Sequence, residues 1–211
     1  MSLKFLVLTL SAAATVVGQA APCSPLEMIY AKATGESGQY GIIVGNTLVR
    51  QVLQLVPSAT GYSVPYPADF SDRSPELGVQ TLLQHLQTQV TACPDQKFAL
   101  SGYSQGAVVL HRAAVDFTPE IFERVVAAVT FGDGGQQATA ANPIYDSPVG
   151  PIPKWPEQME GKYKFNCVQG DLTCTPGGSS TLAHLRYNSG SYISDSAKFV
   201  AQQYQKLGGS S

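Results

Sequence analysis

The sequence predicts an α/β domain built on a parallel sheet with helices on both faces. Three observations carry that expectation. Short apolar runs alternate with segments that are apolar at helical spacing, the pattern of a parallel sheet covered on both sides. The pentapeptide Gly102-Tyr103-Ser104-Gln105-Gly106 joins one such run, Lys97 to Gly102, to a helical run, Ala107 to Ala114. Finally, removal of a leader over residues 1–20 leaves about 190 of the 211 residues as one domain, residues 21–211, with one substantial core.

Taken in chain order, Met1 to Lys4 is a short basic start and Phe5 to Val17 an apolar stretch too short to span a bilayer. Gly18-Gln19-Ala20 is a small-x-small cleavage site, so residues 1–20 read as a secretion signal and the product as extracellular. Leu26 to Ala31 is a first strand, followed by the turn-rich Thr34-Gly35-Glu36-Ser37-Gly38. Gly41 to Val56 has helical spacing in Ile43, Leu48, Val52 and Leu55, and Pro57 ends it. Tyr62 to Tyr66 is a short strand placed near an edge by Pro65. Ser74-Pro75-Glu76 opens a helix, with Ser74 as cap, whose stripe is Val79, Leu82, Leu83, Leu86 and Val90. Val125 to Phe131 and Tyr163 to Val168 are further strands, Asn142 to Pro156 is a stiff proline-rich surface loop, and Ser194 to Leu207 is a closing helix.

Composition excludes several functions. Net charge is −2 and only 13% of residues are charged, so no basic patch exists for nucleic acid or an anionic membrane. No apolar run after the leader reaches membrane length. The four cysteines of a secreted chain point to disulfides, with three possible pairings. The short spacing of Cys167 and Cys174 around Gly170-Asp171 favours a local loop, which leaves Cys23 with Cys93. The long bridge stabilises by about 4 kcal/mol and the short one by about 2.5 kcal/mol on the loop-entropy estimate. A zinc site needs closely spaced Cys/His pairs, and His184 is the one histidine near a cysteine, so no metal or other cofactor is expected.

The chemistry centres on Ser104. G-x-S-x-G between a strand and a helix is the setting of a nucleophile elbow, in which the hydroxyl is pushed out of the sheet and only glycine fits the crowded flanking positions. The N–H groups of the following helix face the place where negative charge develops. Serine needs a base, and the base needs a partner to hold it. Of the three histidines, His85 lies off its helix's apolar stripe and reads as a solvated surface residue. His111 lies two turns beyond Ser104, roughly 10 Å down the axis, and replacing either should leave turnover near normal. His184, downstream of the last strand, is the base in the chain order nucleophile, acid, histidine. Asp171 is the acid, inside the short cysteine loop and just past a strand end. Asp133, after Phe131-Gly132, is its rival, while Asp146, Glu157 and Glu160 read as solvated. The backbone N–H of Gln105 and a donor from Thr34, in the loop after the first strand, form the oxyanion hole.

With these residues placed, the chain resembles the cutinase family of small fungal serine esterases. The resemblance rests on Ala31-Lys32-Ala33-Thr34-Gly35-Glu36, Cys93-Pro94-Asp95, Gly102-Tyr103-Ser104-Gln105-Gly106, and Cys167 through Cys174 followed by Ala183-His184-Leu185. Tyr66-Pro67-Ala68-Asp69-Phe70-Ser71 is similar to cutinase-like polyester hydrolases. The resemblance implies a minimal α/β-hydrolase, a sheet of about five parallel strands with no large lid, and a triad on Ser104, Asp171 and His184. It also implies oxyanion roles for Thr34 and Gln105 and the pairs Cys23–Cys93 and Cys167–Cys174. The expected function is a secreted esterase that cleaves cutin-like polyesters and short- to medium-chain acyl esters as a monomer. The acyl group is expected between the Tyr66–Phe70 loop and a rim of Leu172, Leu182 and Leu185. Lys32-Ala33 replaces the family's usual Arg-Gly, and Gly177 to Thr181 is more polar than an aliphatic rim. An acetylxylan esterase of the same superfamily is the alternative reading. A catalytically inactive secreted binding or effector protein is a second, opposed by the intact nucleophile, base and acid.

Overall fold

A computed structural model of the protein describes residues 21–207, so the predicted leader lies outside the described residues. Five strands form one parallel sheet: β1 (Leu26–Ala31), β2 (Thr60–Ser63), β3 (Lys97–Tyr103), β4 (Val125–Phe131) and β7 (Tyr163–Asn166), in the order β2-β1-β3-β4-β7. β1, β3 and β4 sit inside the sheet and are buried on both faces apart from Lys97, which explains their near-continuous apolar runs. Successive side chains of β1 divide between the faces: Leu26, Met28 and Tyr30 pack on one side, Ile29 and Ala31 on the other.

On the first side α1 (Asn46–Leu55) and α6 (Tyr192–Lys206) contribute Leu48, Val52, Ile193, Ala197 and Val200 to the core. On the second, α2 (Arg73–Ala92) and α3 (Gln105–Ala114) contribute Leu82, Leu86, Val109, Leu110 and Ala113. α4 (Pro119–Arg124) leads into β4, with the Thr118 side chain accepting from the Ile121 N–H as its cap. The disulfides are Cys23–Cys93 and Cys167–Cys174, as read from the spacing. No large lid is present among the described residues, and none of their helices is long and apolar enough to cross a membrane.

Several local expectations change. The edge strand ends at Ser63, before Pro65 can interrupt its pairing with β1. The helix predicted from Gly41 begins as a π-turn, Gly41–Gly45, where the Ile43 N–H turns to the Glu36 carboxylate. Ser74 is no cap: it lies buried inside α2, its hydroxyl donating to Gln105 Oε1 and accepting from the Asp69 N–H. His85 is not solvated, because its Nε2 lies 2.7 Å from Glu27 Oε2 and its ring stacks on Tyr62 at 3.5 Å.

The expected proline-rich loop contains an antiparallel hairpin, β5 (Ile144–Ser147) and β6 (Gly150–Pro153). Pro151 and Pro153 alternate along β6, so the missing N–H groups fall on the edge away from β5 and cost no ladder bond. Trp155, at the end of that segment, is buried in the second core. α5 (Thr181–His184) is a single turn capped by the Ser180 hydroxyl, which accepts from the Ala183 N–H.

Candidate active site

The turn between β3 and α3 holds Ser104 at φ 52°, ψ −113°, a conformation that costs a non-glycine residue of order 1–3 kcal/mol and is concentrated at functional sites. Both flanking glycines are required by close approach. A Cβ on Gly102 would lie 2.4 Å from the Gly106 carbonyl oxygen, and one on Gly106 would lie 2.0 Å from that of Ala31. The start of α3 is thus pressed against the end of β1. The Ser104 N–H donates to the Phe131 carbonyl, fixing the elbow to β4.

His184 and Asp171 meet across the loop that the Cys167–Cys174 disulfide closes. His184 Nδ1 lies 2.9 Å from Asp171 Oδ2 and 3.0 Å from Oδ1. A carboxylate accepts, so Nδ1 carries the proton and Nε2 of the neutral ring is left as a base. Asp171 is fully buried and takes further bonds from the Tyr187 hydroxyl at 2.5 Å and the Thr173 N–H at 2.7 Å. Burial pushes its pKa up, but the bonds from His184, Tyr187 and Thr173 outweigh that and hold the carboxyl well below its ordinary range. Tyr103 donates to the His184 carbonyl at 2.5 Å, which fixes the backbone that carries the ring. No hydrogen bond links Ser104 to His184 among the described residues; in unliganded sites such contacts are commonly open.

Asp133, the rival acid, also ends a strand but faces away from His184. Its Oδ2 lies 2.9 Å from His111 Nε2, and both side chains are fully buried. The structure brings Asp171, not Asp133, to His184.

Thr34 stands across the cleft from the elbow, in a loop held by Glu36, whose carboxylate accepts from the Ala33 and Ile43 N–H groups. The Gln105 side chain donates to Thr34 Oγ1 at 3.0 Å and to the Asp69 carbonyl at 2.8 Å. Because Thr34 Oγ1 accepts from Gln105, its own proton is free to point into the cleft. The Gln105 N–H, at the first position of α3, has no intrahelical partner. Two donors therefore flank Ser104.

The cleft has a volume of about 210 Å³ and is lined by Thr34, Ser104, Gln105, Gly132, Leu172, Thr173 and the hairpin residues Tyr145, Pro148, Val149 and Ile152. Of the expected substrate-contacting residues, Leu172 is there. Tyr66 is not: its ring packs in the core and its hydroxyl donates to the Lys32 carbonyl. Phe70, 92% exposed, and the exposed Leu182 and Leu185 also lie outside the lining. The hairpin takes the place of the Tyr66–Phe70 loop because β5 and β6 carry side chains to the open end of β4. The sequence reading missed Gly132, Thr173 and Tyr187. The last falls three residues after His184, the helical spacing that could have signalled it. No group of three or more His, Cys, Asp or Glu side chains suited to a metal occurs among the described residues.

A family model described as Cutinase matches residues 22–204. A cutinase of Monilinia fructicola is 32% identical over 210 residues, covering 95% of this chain and 94% of that protein. Among solved structures, a Trichoderma reesei cutinase in complex with a phosphonate inhibitor is similar at 25% identity and TM-score 0.65, over 90% of this chain and 78% of that one. An acetylxylan esterase is similar at 26% identity and TM-score 0.72, over 87% of this chain and 100% of that one.

Proposed function

The chain belongs to the cutinase family and is a carboxylic ester hydrolase, and on that premise we propose that it is a secreted, monomeric serine esterase acting through an acyl-enzyme. Residues 21–211 work as one domain after loss of the leader. The observation that supports the reading is a strained serine and two donors lining one apolar-walled cleft, with a carboxylate-held histidine packed over Gly132 at its edge.

Ser104 Oγ attacks the ester carbonyl as His184 Nε2 takes its proton. Asp171 holds the ring in the tautomer that leaves Nε2 free and stabilises the imidazolium that forms. The carbonyl oxygen becomes an oxyanion facing the Gln105 N–H and the Thr34 hydroxyl, where each donor contributes on the order of 3 kcal/mol to the transition state. The imidazolium returns its proton to the alcohol oxygen as the C–O bond breaks. Water then attacks the acyl-Ser104 ester by the same route and releases the acid.

A cleft of about 210 Å³ is smaller than the usual small-molecule pocket of about 300 Å³ or more, which favours short- to medium-chain acyl esters, while the family match supports cutin-like polyesters as a second substrate class. The same small volume, with the likeness to an acetylxylan esterase, supports deacetylation of xylan as the second reading. A panel of p-nitrophenyl acetate, butyrate and palmitate, cutin and acetylated xylan separates them. Butyrate and cutin cleavage is the expected result, and fast deacetylation of xylan with negligible butyrate turnover favours the second. Ser104→Ala, His184→Ala and Asp171→Asn should each fold and lose at least about 10³-fold in kcat. Wild-type turnover in a folded Ser104→Ala protein would refute the mechanism.

A further inference from the structure

The cleft wall formed by the hairpin is held by two adjacent side chains of the nucleophile's own helix. Arg112 is the one residue of α3 that is not buried. Its Nη2 donates to the Val149 carbonyl at 2.8 Å and its Nε to the Pro151 carbonyl at 3.1 Å. His111 Nδ1 lies 2.7 Å from the Pro153 carbonyl. The Pro151 and Pro153 carbonyls alternate along β6 and so project from the same edge, the one whose prolines offer no N–H, and the Val149 carbonyl joins them from the turn. That edge presents only acceptors, and α3 meets it with donors.

The two tethers are themselves fixed. Both nitrogens of His111 are engaged, Nδ1 by the Pro153 carbonyl and Nε2 by the Asp133 carboxylate at 2.9 Å, so the buried ring is held from both sides. Gly135 gives this ring its room, since a Cβ there would lie 2.5 Å from His111 Nε2. Arg112 is oriented by Glu76, with Nη1 to Oε1 at 2.5 Å.

The hairpin needs such tethers because it stands between two open spaces. On the Ser104 side it bounds the cleft of about 210 Å³, and behind it lies a second groove of about 610 Å³ along Arg112, Val115, Ile144 and Pro151. Ile144 and Val149 of this segment are exposed. Val149, at the turn between the two strands, lines both spaces.

We propose that Arg112 and His111 are positioning residues that pin the Ile144–Pro153 hairpin as the fixed wall of the acyl cleft and so limit the length of acyl chain admitted. The proposal rests on the esterase reading of that cleft. Released from α3, the hairpin can fall back into the groove behind it, and the cleft opens along the acyl direction.

The test compares the wild-type protein with Arg112→Ala and Arg112→Lys in two independent assays. Amide hydrogen exchange reads the hairpin without reference to turnover. The kcat and KM values for p-nitrophenyl acetate, butyrate, octanoate and palmitate read the cleft. In Arg112→Ala the Ile144–Pro153 segment should exchange at least about tenfold faster, while α3 and β4 keep their protection. The kcat/KM ratio of octanoate to butyrate should rise about tenfold, the scale on which an apolar pocket discriminates a methylene, with the change falling on KM more than on kcat. Arg112→Lys should recover only part of both effects, because an ammonium cannot span two carbonyls as the planar guanidinium does. Unaltered exchange in the hairpin, or a chain-length profile parallel to wild type, overturns the proposal. A wild-type protein that cleaves no ester refutes the esterase reading and the selectivity claim with it, and the exchange assay still decides the tether.

Discussion

Gly132 gives the sharpest test of the site geometry. It follows β4 at φ +53°, directly beneath the His184–Asp171 pair. A Cβ at this position would lie 2.6 Å from His184 Cε1, 2.8 Å from Nδ1 and 3.2 Å from Asp171 Oδ2. Ordinary contact begins at 3.4 Å, so Gly132→Ala must drive the imidazole outward by about 0.8 Å. The ring cannot take up that displacement and keep both its bond to Asp171 and its approach to Ser104. A misplacement of about 1 Å in a reacting group can cost about 10²-fold in rate, and that is the expected fall in kcat. The left-handed backbone adds roughly 1–2 kcal/mol of strain, or a drop in Tm of about 2–8 °C for a domain of this size. The assay is kcat on p-nitrophenyl butyrate alongside a thermal melt. A folded variant with wild-type kcat would show that the imidazole works from a position other than the one over Gly132.

Three further outcomes follow from the same geometry. Thr34→Val keeps the backbone N–H and removes the hydroxyl, so kcat should fall about 10²-fold with little change in Tm; an unchanged kcat would confine Thr34 to its backbone. Tyr187→Phe removes a bond to a buried carboxylate and should cost about 1.5–3 kcal/mol near neutral pH in urea unfolding. Asp171 has a depressed folded-state pKa, so its contribution is present above its unfolded value of about 3.9 and is lost as pH falls through the folded one. With a donor gone that depression is smaller, and the variant should lose the contribution at a higher pH than wild type; coincident acid limbs would refute the link. His111→Gln, expected from sequence to be silent, should instead cost about 1–3 kcal/mol because it removes the ring that joins the buried Asp133 carboxylate to the Pro153 carbonyl; a melt within 2 °C of wild type, by the scale of about 2–4 °C per kcal/mol, would argue against that role.

Much of this was legible because the sheet writes itself locally. β1, β3 and β4 are buried on both faces, so each appears as a short apolar run, and the elbow between β3 and α3 needs two glycines that local crowding alone dictates. The order of Ser104, Asp171 and His184 along the chain is likewise visible, since each lies just past a strand or in the last loop. What failed were contacts set by distant partners. His85 looks solvated on its helix until Glu27 and Tyr62 of the neighbouring strands are seen to cover it. Ser74 looks like a cap because its sequence context is that of one, yet its hydroxyl is taken by Gln105 from across the site. Tyr66 looks available to substrate, but its hydroxyl is spent on the Lys32 carbonyl. The hairpin was hidden by Pro151 and Pro153, which read as loop unless one knows that the edge they blunt meets α3 and not another strand.

The division of labour between these parts has a consequence for specificity. Ser104 and Asp133 follow the carboxyl ends of β3 and β4, and Asp171 lies just beyond that of β7, so their positions are set by the five-stranded sheet. The cleft wall comes from elsewhere, from the segment inserted between β4 and β7, and it touches the sheet scaffold mainly through His111, Arg112 and the Gly134–Gly135 turn. Chemistry and selectivity are thus carried by different stretches of chain that meet at a few polar contacts. A change of hairpin length or sequence can reshape the acyl cleft while Ser104, His184 and Asp171 stay where the sheet puts them. This physical arrangement suits a fold on which cutinases and acetylxylan esterases are both found. On the proposal above, the determinant of substrate choice lies in residues 144–153 and their tethers, since the Ser104 elbow and the Asp171 loop answer to packing constraints that no substrate alters.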